Sequence, residues 1–212
     1  MQLPQSHTLT TRHLNRVFDN TVATYKYYWF LGILDACVKQ GKSRINVWDI
    51  MISMVANAWY PVNYFRLSFG KSESLYDAIL TLQREYNIPI NIGINELTEM
   101  LQTLIQRREV RRLLNFLQMN VPFRFLRPWI DTSDDKQTVL RSQTFENGCL
   151  YKLEKIDRIW WVEINPAWLP YLRENYDILT SFAYWGLTNF LQVRNPNVPN
   201  IPNKLIKREE RS

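Results

Sequence analysis

Arginine is concentrated in residues 101–130, and its guanidinium group is the side chain with the clearest chemical role in this sequence. Six arginines and one acid, Glu109, give this stretch a net charge of +5, compared with +6 for the whole chain. No lysine occurs in it. The planar guanidinium fork matches phosphate and carboxylate oxygens, and local basicity indicates an anionic partner. The six residues are Arg107, Arg108, Arg111, Arg112, Arg124 and Arg127.

Two interpretations of these arginines stay open at this stage. They are candidate nucleic-acid-binding residues for DNA or RNA, because basic residues clustered in one stretch are typical of a surface that binds phosphates. They are equally compatible with a solvated face held by internal ion pairs, or with acidic groups on a protein partner.

Catalytic and metal-binding chemistry is not indicated by the remaining residues. His7 and His13 are the only histidines, and neither has a cysteine or a paired acid at ligand spacing. We interpret both as surface residues. The Gly-Lys-Ser within 69–74 lacks the upstream glycine of a phosphate-binding loop. Two carboxylate pairs fit helix starts or a solvated loop: Glu96 with Glu99 and Asp134 with Asp135. The sequence therefore predicts no catalytic residue, no metal ligand and no cofactor in this chain.

The elements that position the arginines are mostly helices. Apolar residues recur at helical spacing through much of the chain, whereas 149–164 alternates as a β-hairpin that turns near 155–157. We predict a mainly α, multi-helix domain with that one hairpin. The predicted helices are 10–19, 21–40, 46–58, from Ser72 or Ser74 to about Tyr86, from Asn95 onward, 166–174 and 176–192.

The helix that starts at Asn95 must break before the arginines. A straight continuation would place Arg108, Arg111 and Arg112 on the apolar face, and burying three charges is costly. A break within 106–109 and a new helix from about Arg108 to Met119 avoids that cost. The arginines would then face solvent at a helix start, where a bound anion would be favourable.

Aromatic residues and cysteines are interpreted mainly as core. Tyr25–Phe30 lies in a nearly continuous apolar run, and base stacking is the alternative for its rings. Core packing is also favoured for Trp59–Phe65, with the lining of a groove as the alternative. Cys37 and Cys149 are too few for a disulfide framework, and Cys37 suits a small buried hydrophobe.

The predicted organisation is an α-rich globular domain over 1–194 followed by an Asn/Pro-rich linker and charged tail over 195–212. Pro196, Pro199 and Pro202 exclude a regular helix or central strand there and predict poor packing. No apolar signal core opens the sequence, and the longest apolar run is too short for a membrane span. A cytoplasmic protein without membrane contact is the resulting expectation.

Four segments give this sequence a family resemblance. They are TVATYKYYWFLGIL (21–34), NAWYPVNYFRLSFGK (57–71), VPFRFLRPW (121–129) and NFLQVRNPNVPNIPNKL (189–205). In this order they resemble the N-terminal region of bacterial HNH-endonuclease-like proteins. The resemblance implies that DNA is cut by a histidine-centred module that uses a divalent metal and follows the Asn/Pro-rich segment. No residue of this chain matches the HNH histidine, so no catalytic or metal position is carried over.

The leading hypothesis is a non-catalytic module that positions nucleic acid in an HNH-endonuclease-like protein. The chain would then be either a separated N-terminal region or a shortened relative without the nuclease. A protein-interaction or oligomerisation module without a nucleic-acid role is the second hypothesis, and an enzyme of an unrecognised type is the third.

Overall fold

The computed structural model describes residues 3–19, 21–71 and 73–206 and confirms a mainly α fold with a small antiparallel sheet. A π-helical turn, Asp35–Lys39, directly follows the second helix. The elements in chain order are α1 (Arg12–Asn15), α2 (Tyr25–Leu34), β1 (Arg44–Asn46), α3 (Val47–Asn63), α4 (Ser74–Glu85), α5 (Ile94–Leu104), α6 (Arg108–Gln118), α7 (Val121–Phe125), α8 (Asp135–Ser142), β2 (Tyr151–Ile156), β3 (Ile159–Ile164), α9 (Trp168–Glu174), α10 (Tyr176–Arg194) and α11 (Pro202–Leu205).

Helix α2 lies at the centre of the core, as its apolar run predicts. Every residue from Tyr27 to Leu34 is buried, and α3, α7 and α10 pack around the helix. Gly32 and Gly186 allow the closest approaches. A Cβ atom on Gly32 would lie 2.9 Å from Ile50 Cγ2, and one on Gly186 would lie 2.7 Å from Tyr27 Cε1. Larger residues at either glycine would force the helices apart.

The predicted hairpin is confirmed and gains a third strand. β2 pairs with β3 around a turn at Asp157 and Arg158, and β1 pairs with the other edge of β3, giving the order β1-β3-β2. No strand is predicted at β1. Its three residues are too short for a periodic signal, and the strand exists because β3 supplies its hydrogen bonds.

Some helix boundaries differ from the prediction. α3 passes through Pro61 instead of ending before it, and the buried Pro61 and Val62 add apolar contacts in its last turn. Helices α7 and α8 lie outside the predicted helices. Asp134 begins α8, because its Oδ1 accepts a hydrogen bond of 2.8 Å from the Lys136 amide.

The chain from 195 to 206 packs on the domain instead of forming the predicted extended linker. The Asn195 side chain accepts a hydrogen bond from the Ser68 amide at 2.8 Å and donates one to the Ser68 carbonyl at 2.9 Å. Ile201 and Leu205 are buried, and α11 contacts α3 and α10. Two apolar side chains in a proline-rich segment therefore suffice to dock it. The charged tail of the prediction, 207–212, lies outside the described residues.

A buried carboxylate joins the starts of two helices. Glu73 is only 4% exposed and accepts hydrogen bonds from the Thr24 amide, the Thr24 hydroxyl and the Leu75 amide. Thr24 directly precedes α2, and Leu75 lies in the first turn of α4. Burial is the dominant influence on this group, and it raises the pKa of Glu73 above the ordinary 4.5 despite these donors.

A buried hydrogen-bond chain joins α2, the hairpin and α7. The Trp29 indole Nε1–H donates to the Tyr151 hydroxyl at 3.1 Å, and that hydroxyl donates to the Pro122 carbonyl at 2.7 Å. Both aromatic side chains are fully buried. Because these groups are buried, water cannot replace a lost partner. The hydrogen-bond chain therefore fixes the position of the sheet against the helices.

We predict that the Tyr151→Phe variant loses about 1–3 kcal/mol of unfolding free energy, because Trp29 Nε1–H and the Pro122 carbonyl lose their buried partner. Urea denaturation measures the loss. Tyr64→Phe is the matched control, because Tyr64 is 50% exposed. Equal midpoints for the two variants would contradict the proposed role of the hydrogen-bond chain.

The raised pKa of Glu73 predicts a pH dependence of stability. The folded state binds the Glu73 proton more tightly than the unfolded state, so this stabilising contribution is complete below pH 4.5 and is lost as pH rises through the raised pKa. The free-energy difference between the wild type and Glu73→Gln should therefore shrink over that window, as measured by urea denaturation at several pH values. A difference that widens with pH would show instead that the three donors lower the pKa.

Candidate nucleic-acid interface

The predicted break between the fifth and sixth helices is confirmed. α5 ends at Leu104, and Arg107 adopts an extended conformation, φ −77° and ψ 136°, directly before α6 begins. The break rotates the apolar stripe, so that Val110, Leu114 and Leu117 of α6 are buried. Arg107, Arg108 and Arg112 are exposed, as predicted. We call these three residues the α6 cluster.

Arg111 is the exception among the four arginines at the break. Its Nε–H donates to the Ile105 carbonyl at 2.7 Å, and a terminal NH₂ donates to Gln106 Oε1 at 3.2 Å. The guanidinium also lies 5.6 Å from the ring centroid of Trp48 at the start of α3. Arg111 is half-buried and stabilises the C-terminal end of α5, where a cation is favoured. The prediction that all four arginines face solvent is therefore wrong for Arg111.

Arg108 and Arg112 of the α6 cluster line an open cleft between α4 and α6. This space of about 540 Å³ is also lined by Tyr86 and by two acids, Glu85 and Glu109. The Arg107 guanidinium lies 5.4 Å from the Tyr86 ring centroid. Arg108 and Arg112 are four residues apart on one helix, so they are neighbours of like charge that an anion would stabilise.

Arg124 and Arg127 belong to a separate cluster. Both are exposed. Burial lowers the pKa of the Lys26 ammonium, and the positive charges of Arg127 and Arg124 lower it further. Lys26 donates a hydrogen bond to the Val17 carbonyl at 3.0 Å. Asp19 opposes the effect by favouring the charged form. We call Lys26, Arg124 and Arg127 the α7 cluster.

Helix α6 separates the two clusters. The α6 cluster lies at its start, and the α7 cluster follows its end, where Phe116 contacts the ring of Tyr25 beside Lys26 at 5.8 Å. Eleven residues of helix measure ~16 Å. Within 3–19, 21–71 and 73–206, no ion pair of 4.0 Å or less involves any of the six arginines. The internal ion pairs of the alternative interpretation are therefore not found at these side chains.

Other candidate chemistry falls in structural positions. His7 is exposed, but His13 is half-buried with its ring 6.0 Å from that of Trp129, so the surface interpretation is wrong for His13. Cys37 and Cys149 are buried and unpaired, and burial raises the pKa of each thiol to about 12. In the part of the chain that the structure describes, no group of three His, Cys, Asp or Glu side chains could hold a metal ion.

The aromatic segment Trp59–Phe65 divides between the two interpretations of it. Trp59 is buried and forms part of the lining of a cleft of about 750 Å³, together with Tyr60, Tyr64 and Phe65. The end of α3, the start of α5 and α11 form most of this cleft, and Tyr184 of α10 also lines it. We call this space the α3–α5 cleft. The aromatic residues after a predicted helix are the sequence signal for this cleft. Helix α11, which forms one side of the cleft, lies in the segment that the sequence predicts to be a linker.

No family model, curated protein or solved structure matches this chain. None of the helices that the structure describes is long and apolar enough to cross a membrane. The arginines, the cleft and their contacts are therefore the basis for an inference about function.

Arg111→Ala should destabilise the protein by about 1–2 kcal/mol, because the Ile105 carbonyl loses its donor and α5 loses its C-terminal cation. Arg108→Ala is the control, since an exposed arginine without a hydrogen-bond partner in the described residues should change stability by less than about 0.5 kcal/mol. Thermal and urea denaturation of both variants measure the difference. Equal stability of the two would contradict the capping role of Arg111.

Proposed function

We propose that this protein is a non-catalytic module that positions nucleic acid through its two arginine clusters. The observation that carries the proposal is that five exposed arginines have no acidic partner within 4.0 Å among the described residues. Guanidinium groups left in this state attract phosphates, and the release of counterions from nucleic acid favours the contact. The five are Arg107, Arg108, Arg112, Arg124 and Arg127.

The distance between the clusters supports an extended polyanion as the partner. A helix of ~16 Å separates them, and this length corresponds to about five base pairs of duplex at 3.4 Å each. A single phosphate or carboxylate would engage one cluster only. Contacts of this kind position a strand without reading its sequence.

The nuclease context of the proposal rests on the resemblance to bacterial HNH-endonuclease-like proteins. In that context DNA is the expected partner, and a separate histidine-centred module with a divalent metal would cut it. The residues of this chain would bind and orient the strand, because the sequence contains no HNH histidine. A cytoplasmic location agrees with such a role.

Replacing Arg108 and Arg112 by Gln should weaken binding of duplex DNA of any sequence. If each side chain neutralises one phosphate, the log–log dependence of affinity on salt should flatten by about 1.8. Fluorescence anisotropy with random-sequence duplexes over roughly 50–300 mM salt measures this slope. The double variant spares Arg111, so a folding defect is not expected.

Arg158→Gln with Arg173→Gln is the control, because it removes the same charge from the β2–β3 turn and from α9, outside both clusters. Its salt slope should equal that of the wild type. Equal losses in the two double variants would show that net charge alone attracts DNA. Unchanged binding in the Arg108/Arg112 variant would reject this interface and favour the protein-interaction module instead.

A further inference from the structure

The α3–α5 cleft is the largest of the spaces described above and lies away from both arginine clusters. Helices α3 and α5 run antiparallel. Arg111 joins the start of α3 to the end of α5, while Trp59 near the end of α3 and Leu97 near the start of α5 line the same cleft. The cleft is therefore separated from the α6 cluster by the length of α5, ~16 Å. Its volume of about 750 Å³ falls in the range of small-molecule sites.

One wall of the cleft is a preformed set of aromatic rings. Tyr60 and Tyr64 stack with ring centroids 4.6 Å apart and 19° between their planes. Phe65 stands edge-on to both at 5.1 Å, which fixes their orientation. Tyr64 is 50% exposed, so one more planar ring can stack on it. A ring arrangement that is already held by its neighbours loses little side-chain entropy on binding.

The charge of the lining favours an anion over a cation. Among the described residues that line it, Lys204 is the one charged side chain and none is an acid. The Lys204 ammonium lies 5.3 Å from the Phe65 ring centroid and donates to the Pro199 carbonyl at 2.6 Å, so it is held beside the aromatic wall.

Amide groups add hydrogen-bonding capacity for a polar ring edge. Asn57 donates through Nδ2 to the carbonyl and hydroxyl oxygens of Ser53, which fixes its amide plane. Its Oδ1 adds a hydrogen-bond acceptor to the lining of the cleft. The start of α5 also lines the cleft, and Gly93 there carries no side chain that could cover the amides of the first helical turn.

We propose that the α3–α5 cleft binds a nucleotide, with the base stacked on Tyr64 and the phosphate toward Lys204. The ring of Tyr64 matches the planar face of the base, the Asn57 amide matches its hydrogen-bonding edge, and the Lys204 ammonium matches the phosphate. A free mononucleotide and an unpaired residue of a strand share this chemistry. The inference is independent of the arginine interface, because a free mononucleotide does not span the two clusters.

Titration of the purified protein with adenosine 5′-monophosphate tests the proposal, with calorimetry as the readout. Tyr64→Ala should weaken binding by about 5- to 150-fold, which corresponds to the loss of one stacked base. Tyr64→Phe retains the ring face and should bind as the wild type does. Lys204→Met should weaken the monophosphate but leave adenosine unchanged.

A short single-stranded oligonucleotide distinguishes the two sources of the nucleotide. Binding of both ligands with equal sensitivity to Tyr64→Ala assigns a site for any accessible nucleotide, whereas Tyr64-dependent binding of the strand alone assigns the site to unpaired residues. The Arg108→Gln/Arg112→Gln variant should bind the mononucleotide normally. Failure of the arginine proposal therefore leaves this result intact.

Three outcomes would overturn the nucleotide site. They are no binding of either ligand at millimolar concentration, binding that Tyr64→Ala leaves unchanged, and binding of a neutral disaccharide in preference to the nucleotide. If Tyr64→Ala does not fold, the indole resonance of Trp59 in the wild type replaces it as the readout, because Trp59 also lines the cleft. A resonance that does not shift with the monophosphate rejects the site.

Discussion

A helix that is apolar on every face must be covered on every face, and α2 imposes this constraint on the whole domain. Each residue from Tyr27 to Leu34 is buried, so α3, α7 and α10 have to surround the helix. Gly32 and Gly186 let two of these neighbours approach closely. The hydrogen bond from Trp29 to Tyr151 then attaches the sheet, and Glu73 joins the starts of α2 and α4. The positions of the outer helices follow from the covering of this central one.

The same requirement explains where the arginines lie. Helices α5 and α6 each need one apolar face against the core, but their stripes differ in direction, so the chain breaks between them. Arg111 closes the break through the Ile105 carbonyl and has a structural role. The exposed arginines on either side of α6 form no ion pair of 4.0 Å or less with the described part of the protein. A surface in that state is stabilised by an external anion.

Antiparallel packing of α3 and α5 places two different chemistries at their opposite ends. One end carries the guanidinium groups of the α6 cluster, and the other carries stacked rings with a single lysine. Phosphates suit the first, whereas a base and its phosphate suit the second. A strand that follows the helices would meet both, which gives the proposed module a way to hold paired and unpaired nucleotides together.

Periodicity and charge in the sequence alone determined the mainly α class, the hairpin, the burial of α2 and the break before Arg108. These features depend on residues close together in the chain, where the spacing of apolar side chains is sufficient. The tertiary structure alone decided that β1 pairs with β3, that Arg111 is a cap, that the arginines form two clusters, and that Ile201 and Leu205 dock the proline-rich segment. The strand pairing, the two clusters and the docked segment depend on partners distant in sequence, so no local pattern can specify them. Arg111 caps a carbonyl only six residues earlier, but it also lies against the distant Trp48. The α3–α5 cleft belongs with them, because its walls come from four segments that only packing brings together.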